Sequence, residues 1–444
     1  MNRSTHFAKH ALCSVIFAGC VGVSVEAQAG MGNLGNNYGI FPMDVASAQS
    51  LSMFNDQVST TYYNPAFLAK DTRGELTAGA MHAEQELRAK GADRNGDVLS
   101  KTPSQHLVIG LKTDLSDLTR SGHPIYLGFI AGVDKFSRDL LAFKSETSES
   151  GQFLTYGRQP LFLIIGGGTK IWRGIDAGFA TRTTLHSQAE LTTRTDLAGN
   201  TQYEKLNVSA KPSIRSIASV NVDIGATLCP DSECWATGLE TALTFRTSST
   251  SKTTVDANTV IPGLIPSSDP LNFTVSTLDS YQPSAYGLGV HYTMRHWRFG
   301  LSVEQQNWSD LGEAFKGDTV KDQAQAEFDD IIIPRIGAAH RISEHFTLVT
   351  GLAYQQSPLK STSTQDVNYF DNDKYIAGLG ISAEFKRTYL FAHPVRFDLG
   401  YQYQMLKSRD FTINNSQPGN TNNGVVVEAS GDVQVISGSM TLKF

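Results

Sequence analysis

Apolar and polar residues alternate with a period of two over most of this chain. Between Ser104 and Thr113, His106, Val108 and Gly110 fall on one face, and Leu107, Ile109 and Leu111 on the other. A period of two marks a strand whose two faces meet different surroundings. Segments of this kind run over 74–84, 104–113, 125–133, 161–171, 175–195, 204–228, 235–249, 271–294, 297–315, 324–342, 346–362, 375–385, 395–412 and 425–444. Tight turns at Trp172-Arg173-Gly174, Arg295-His296 and Ser343-Glu344-His345 alternate with polar connections such as 253–270, read as a loop. Short turns on one rim and long loops on the other are the habit of outer-membrane barrels. The expected fold class is therefore all-β: a transmembrane antiparallel β-barrel of about 14 strands, an even number as such barrels require.

The N-terminal part departs from this pattern. Arg3 and Lys9 precede an apolar stretch over 11–25, and Ala27-Gln28-Ala29 then offers a small-x-small cleavage site. Residues 1–29 read as a signal peptide. Phe17-Ala18-Gly19-Cys20 offers a competing reading as a lipoprotein box with Cys20 lipidated. Residues 30–72 contain Tyr62-Tyr63-Asn64-Pro65-Ala66-Phe67-Leu68-Ala69. An Asn-Pro-Ala step followed by Phe and Leu starts a short apolar helix, since Pro fits the first helical turn. Such an element ahead of a long all-β chain has to be buried, and the lumen is the place for it. The division is thus a leader, a hatch over 30–72 and a barrel over 73–444.

Composition narrows the function. Charged residues make up 18% of the 444, against roughly 25% in an ordinary soluble domain. The formal net charge of −6 and the lack of a basic stripe argue against a nucleic-acid partner. No internal apolar run is long enough for a membrane helix. Cys229 and Cys234 bracket a tight turn in an exported chain, so a small-loop disulfide is expected. Four residues separate them, which does not fit a Cys-x-x-Cys redox motif. Gly166-Gly167-Gly168-Thr169-Lys170 lacks the spacing of a phosphate loop. His82, His106, His291 and His340 show no ligand spacing, so no metal is expected. No Ser sits in a nucleophile elbow, and neither an enzyme nor a cofactor is expected. Trp172, Trp235, Trp297 and Trp308 lie near turns or strand ends, as interfacial girdle residues do.

Several stretches resemble one family. Asn64-Pro65-Ala66 after Tyr62 and Tyr63 is similar to the hatch motif of FadL/TodX-like outer-membrane transporters of long-chain fatty acids and hydrocarbons. Trp297-Arg298-Phe299-Gly300 with Asn307-Trp308-Ser309, Pro334-Arg335-Ile336-Gly337, Thr350-Gly351-Leu352-Ala353-Tyr354, Ser357-Pro358, Asp371-Asn372-Asp373 and Gly378-Leu379-Gly380 extend the likeness. The ending in Phe444 resembles the signal read by the barrel-assembly machinery. The resemblance implies a monomeric barrel plugged by its hatch. Hydrophobic ligands such as long-chain fatty acids would enter from outside and leave sideways into outer-membrane lipid, with lipopolysaccharide around the wall. Phe54, Phe67 and Leu68 are the candidate ligand contacts. Gly128 and Gly132, in the third strand, are the candidate lateral opening, with a bulge expected near Gly132. The alternative function is a general or solute-specific diffusion porin.

Overall fold

A computed structural model describes residues 38–71, 73–91, 103–118, 123–134, 161–195, 201–231, 234–260, 271–316, 327–360, 363–365, 371–386, 389, 391–414 and 425–444. The leader, Cys20 and the first residues of the hatch lie outside the described residues.

In chain order the strands are β1 (Glu75–Gly91), β2 (Ser104–Asp114), β3 (Ile125–Asp134), β4 (Leu161–Trp172), β5 (Ile175–Thr195), β6 (Thr201–Asp223), β7 (Leu239–Arg246), β8 (Ser249–Val260), β9 (Leu271–Gln282), β10 (Ser284–Met294), β11 (Trp297–Asn307), β12 (Ile331–Arg341), β13 (Phe346–Gln355), β14 (Ser363–Gln365), β15 (Lys374–Phe385), β16 (Val395–Asn414) and β17 (Val425–Lys443). All but β8, β9 and β14 form a closed 14-strand antiparallel wall, sealed where β1 pairs with β17 from Glu75↔Lys443 to Gly91↔Val427. Period two is the reason the wall has two faces. Leu107 is 65% exposed on the outside, while Val108 beside it is buried inside.

Several boundaries differ from the sequence expectation; the segment 271–294, for one, is split at Pro283 into β9 and β10. The connection read as a loop over 253–270 carries strand: β8 and β9 form a hairpin beyond the wall. Thr and Ser dominate it, and β-branched Thr accepts extended backbone readily. The segment 204–228 ends as strand at Asp223 and turns into α3 (Ile224–Leu228), capped by the Asp223 carboxylate accepting from Ala226 N at 2.9 Å. The 297–315 segment leaves the wall after Asn307 and forms α4 (Asp310–Lys316). The 346–362 segment ends as strand at Gln355.

The hatch lies inside the wall. It is built from α1 (Pro42–Ala46), α2 (Thr60–Tyr63) and two 3-10 turns, Ser52–Phe54 and Pro65–Lys70. Nearly every residue from Tyr38 to Ala69 is buried. The Asp44 carboxylate ties three parts of it together. It accepts from Phe41 N at 3.1 Å, Ser52 Oγ at 2.7 Å and Ser59 Oγ at 3.3 Å. Burial pushes its pKa up to about 6, against those hydrogen bonds.

Wall and hatch meet through glycine. Every wall strand except β6, β7 and β17 presents a glycine to the hatch. At Gly168 and Gly178 a Cβ would overlap the backbone of Pro65 and Ala66, and at Gly351, Gly378 and Gly400 the backbone of Ser47, Ala46 and Pro42. On β6 the Ser219 hydroxyl accepts from Ala66 N at 2.8 Å, and on β7 Ala242 packs with Met53, Phe54 and Phe67. Absent side chains let two backbones approach closely. That is the physical role of the Asn64-Pro65-Ala66 step: Asn64 Nδ2 bonds Met53 O at 2.9 Å, and Pro65 and Ala66 lie flat against β4 and β5.

Charge pins the hatch at two places, its C-terminal end and its middle. Lys70 Nζ lies 3.0 Å from Asp223 and 3.2 Å from Glu240, with Asp176 at 3.9 Å. Asp56 faces Arg396 at 3.9 Å and Lys443 at 4.0 Å, and its carbonyl accepts from Lys112 Nζ at 2.8 Å. Burial opposes ionisation of Asp56, yet Arg396 and Lys443 hold its carboxyl below the usual carboxylate range.

Candidate functional site

Above the hatch the lumen holds a cavity of about 80 Å³. Its floor is hatch: Gly39, Ile40 and Tyr62. Apolar wall comes from Val108 and Phe162, whose positions on β2 and β4 face inward by the period-two rule. The opposite wall is cationic, with Arg182 from β5, Arg215 from β6 and Arg246 from β7. Gln282 and Pro283 form the roof, and Glu304, Gln306 and Trp308 close the β11 side.

The arginines are held by a small set of partners. Arg246 Nη2 lies 2.7 Å and Arg335 Nη1 3.2 Å from the same Glu304 oxygen. Arg215 donates to the Tyr62 hydroxyl at 3.3 Å, Gln282 Oε1 at 2.9 Å and the Pro283 carbonyl at 2.6 Å. The Arg182 guanidinium carbon sits 4.7 Å from the Phe162 ring centre and 5.8 Å from that of Tyr62, and the Arg246 carbon sits 5.3 Å from Tyr62. Cations over aromatic faces are attracted by the ring quadrupole. Burial opposes ionisation of the Tyr62 hydroxyl, but Arg215, Arg246 and Arg182 together hold its pKa below the usual phenol range. Two guanidiniums, those of Arg246 and Arg335, thus share one carboxylate in a site with one greasy side. Buried ionisable groups are costly, which makes this cluster a candidate functional site.

The expected site residues lie elsewhere. Phe54 stacks on His291 at 5.0 Å and meets Phe67 edge-on at 5.8 Å. Leu68 packs with Ala69 and Tyr126. None of these three lines the cavity; they are the packing between hatch and wall. The bulge expected near Gly132 is absent: β3 pairs with β2 from Tyr126 to Asp134 and with β4 from Ile125 to Val133 without a register shift. Gly128 faces Thr61 of the hatch. At Gly132 a Cβ would meet Phe162 at 2.5 Å and Val108 at 2.7 Å, so this glycine makes room for the apolar cavity wall. Trp172, Trp235 and Trp297 are exposed at the rim of tight turns, as girdle residues are. Trp308 is 2% exposed and turns inward, its Nε1 donating to Gln306 Oε1 at 2.8 Å. Cys229 and Cys234 are bonded to one another. The arginine cluster escaped sequence reading, although one signal was present: charged residues at lumen-side positions of strands.

The geometry is that of an outer-membrane β-barrel whose lumen holds its own N-terminal segment. The chain belongs to the outer membrane protein transport protein family (OMPP1/FadL/TodX). The family model matches residues 248–444. Alkane uptake protein A of Marinobacter nauticus is 53% identical over 451 residues, covering 100% of this chain and 98% of that protein. Among solved structures, a Pseudomonas aeruginosa FadL homologue superposes with a TM-score of 0.58 at 14% identity, covering 94% of this chain and 99% of that one. The P. putida toluene transporter TodX gives 0.51 at 9% identity, covering 91% and 99%. These two likenesses concern the fold.

Proposed function

We propose that this barrel takes up hydrophobic compounds of the alkane class across the outer membrane, and that they leave sideways into the bilayer. The observation that carries this is the filled lumen. Hatch backbone lies directly on wall glycines, so a molecule in the cavity above has no open axial way down. The full-length likeness to an alkane uptake protein supports the substrate class. Each buried methylene gains about 0.8 kcal/mol, so an apolar cavity competes with the surrounding lipid for such a molecule. Sideways release keeps it out of the aqueous periplasm. The exit on β3 near Gly128 and Gly132 calls for a paired ladder to part, and Gly132 touches the cavity through Phe162 and Val108.

A second reading, long-chain fatty acids, is favoured by the cluster of Arg182, Arg215 and Arg246, which suits a carboxylate head. The porin alternative is disfavoured by the hatch. A strain lacking the protein should lose uptake of labelled hexadecane and regain it with the wild-type chain, but not with Gly132→Leu inserted and folded. Loss of oleate uptake with hexadecane uptake intact would favour the fatty-acid reading instead. A large steady ion current through the purified barrel would favour the porin.

A further inference from the structure

The cavity is too small for the molecule proposed to use it. About 80 Å³ compares with roughly 300–1,000 Å³ in ordinary small-molecule sites. Something must move, and the lining includes two segments outside the wall strands, the floor, which is hatch, and the roof, which is the hinge of the outer hairpin.

That hairpin is placed as a cover. β7 and β10 pair up to Arg246↔Ala285. The ladder resumes in the same offset at Ser249↔Gln282, after a break at Thr247, Ser248 and Pro283. Ser213 shares the lumen face of β6 with Arg215, two residues on. Its Oγ lies 2.5 Å from Ser249 Oγ and donates to Thr250 O at 3.1 Å, so the hairpin leaves the wall on the lumen side. Further up, β8 pairs parallel with β5 from Ala189↔Val255 to Arg194↔Val260. One edge of β5 is taken by β6 along its whole length. β8 therefore uses the other edge, which β4 vacates after Phe162↔Thr184. To reach it, the hairpin crosses in front of β6 and β5, over the cavity.

We infer that the outer hairpin β8–β9 is a lid on the cavity, hinged at Thr247–Ser248 and Pro283 and latched by Arg215. One guanidinium holds the hinge, through Gln282 and Pro283, and the floor, through the Tyr62 hydroxyl. A molecule entering between roof and floor has to part these hydrogen bonds, so admission from outside is coupled to the hatch. Hinges are a few residues at element ends that absorb the motion, and the parallel clasp on β5 is the weaker kind of pairing. Arg215 is on this account a positioning residue; it acts through the lid rather than on the cargo.

The inference rests on the cavity being the uptake site, and the test separates the two. In full-length protein with all four native cysteines replaced by serine, Ser213→Cys and Ser249→Cys place two thiols where two hydroxyls now touch. Oxidation should lock the lid and cut hexadecane uptake at least tenfold, with recovery on reduction. Undiminished uptake with the cross-link complete overturns the lid. Independently of transport, Ser249→Cys alone should react with a maleimide at least tenfold faster when Arg215→Gln or Arg215→Lys is added, since neither offers the fork that reaches both partners. Equal labelling rates overturn the latch. If wild-type cells take up no hexadecane, the functional reading falls, and the labelling rates still decide the lid by themselves.

Discussion

The lower and upper halves of the lumen solve opposite problems with opposite residues. Below the cavity the wall offers glycine, met at Gly168, Gly178, Gly351, Gly378 and Gly400 by hatch backbone, so that the joint there holds no side chain. Above it the wall offers long arginines that reach across space to Glu304, Gln282 and Tyr62. A joint with no side chains to rearrange has one way to fit and acts as a seal. A joint of charge-assisted hydrogen bonds on flexible arms can exchange partners, and that is what a gate requires. The same strands carry both. β5 supplies Gly178 to the seal and Arg182 to the gate, four residues further up the same lumen-side row.

The seal should break most severely. In Gly178→Leu the new Cβ would overlap Pro65 and Ala66 backbone, which cannot turn aside as a side chain does. We expect about 3 kcal/mol or more of lost stability, and a dislodged hatch with a steady ion current across planar bilayers. Gly438→Leu is the matched control. Its Cβ would find only Asp398 O, at 4.0 Å, so that barrel should fold and stay closed. Equal conductance in the two variants would mean that the glycine joint is not the seal.

Next in size is Glu304→Gln, aimed at the upper half. It leaves Arg246 and Arg335 without their shared carboxylate. Removing one partner of a buried pair costs about 3–5 kcal/mol, which should lower the denaturant midpoint of the folded barrel. Because the seal lies below, ion current should remain at the wild-type level. A current matching that of Gly178→Leu would show that the two halves do not act separately.

The sequence made the wall legible because each strand meets lipid on one side and lumen on the other, and that difference writes itself as alternation. Leu107, Ile109 and Leu111 against His106, Val108 and Gly110 is a local signal. The hatch was legible at Asn64-Pro65-Ala66 for a similar reason, a turn step followed by apolar residues. Its partners were not. Gly178 meets Ala66 more than a hundred residues away, and in a one-dimensional pattern a strand glycine reads only as weak packing. Phe54 and Phe67 announced burial, which hydrophobicity fixes, but not whether ligand or wall would bury them. Trp308 looked like a girdle residue because it falls where a strand ends. The chain turns inward there toward α4, and the ring follows. The β8–β9 hairpin was hidden by Ser, Thr and Pro, residues shared by loops and by polar strands.

A smaller effect tests whether the seal is uniform. Asp44 is fully buried and carries a pKa raised by burial to about 6 from 3.8. A raised folded-state value means that the protonated form is favoured. Its contribution is complete below about pH 4 and lost as pH rises through about 6. Two pKa units correspond to about 3 kcal/mol, confined to the α1 side of the hatch. Amide protection factors at Phe41 to Ser47, with the intrinsic base-catalysed exchange rate divided out, should therefore be higher at pH 5 than at pH 8. Asp44→Asn should flatten that dependence while leaving exchange around Pro65 to Ala69 unchanged. A pH dependence shared by both stretches would mean that the hatch loosens as one body.

The smallest effect is expected at the Cys229–Cys234 bond, which belongs to neither half. It closes a short turn between α3 and β7 on the rim of tight turns, and neither cysteine lines the cavity. Closing so short a loop removes little entropy from the unfolded chain, about 2 kcal/mol in the chain-entropy picture. The turn also has other restraints: Thr227 Oγ1 donates to Asp223 O at 2.7 Å, and Cys234 N to Thr237 Oγ1 at 2.9 Å. Cys229→Ser with Cys234→Ser should thus assemble, hold a closed lumen and transport at the wild-type rate, with at most a slight fall in the thermal midpoint. A double variant that conducts ions would tie the rim to the seal through β6, whose Ser219 holds Ala66, and would move the boundary between the two halves down to the turn itself.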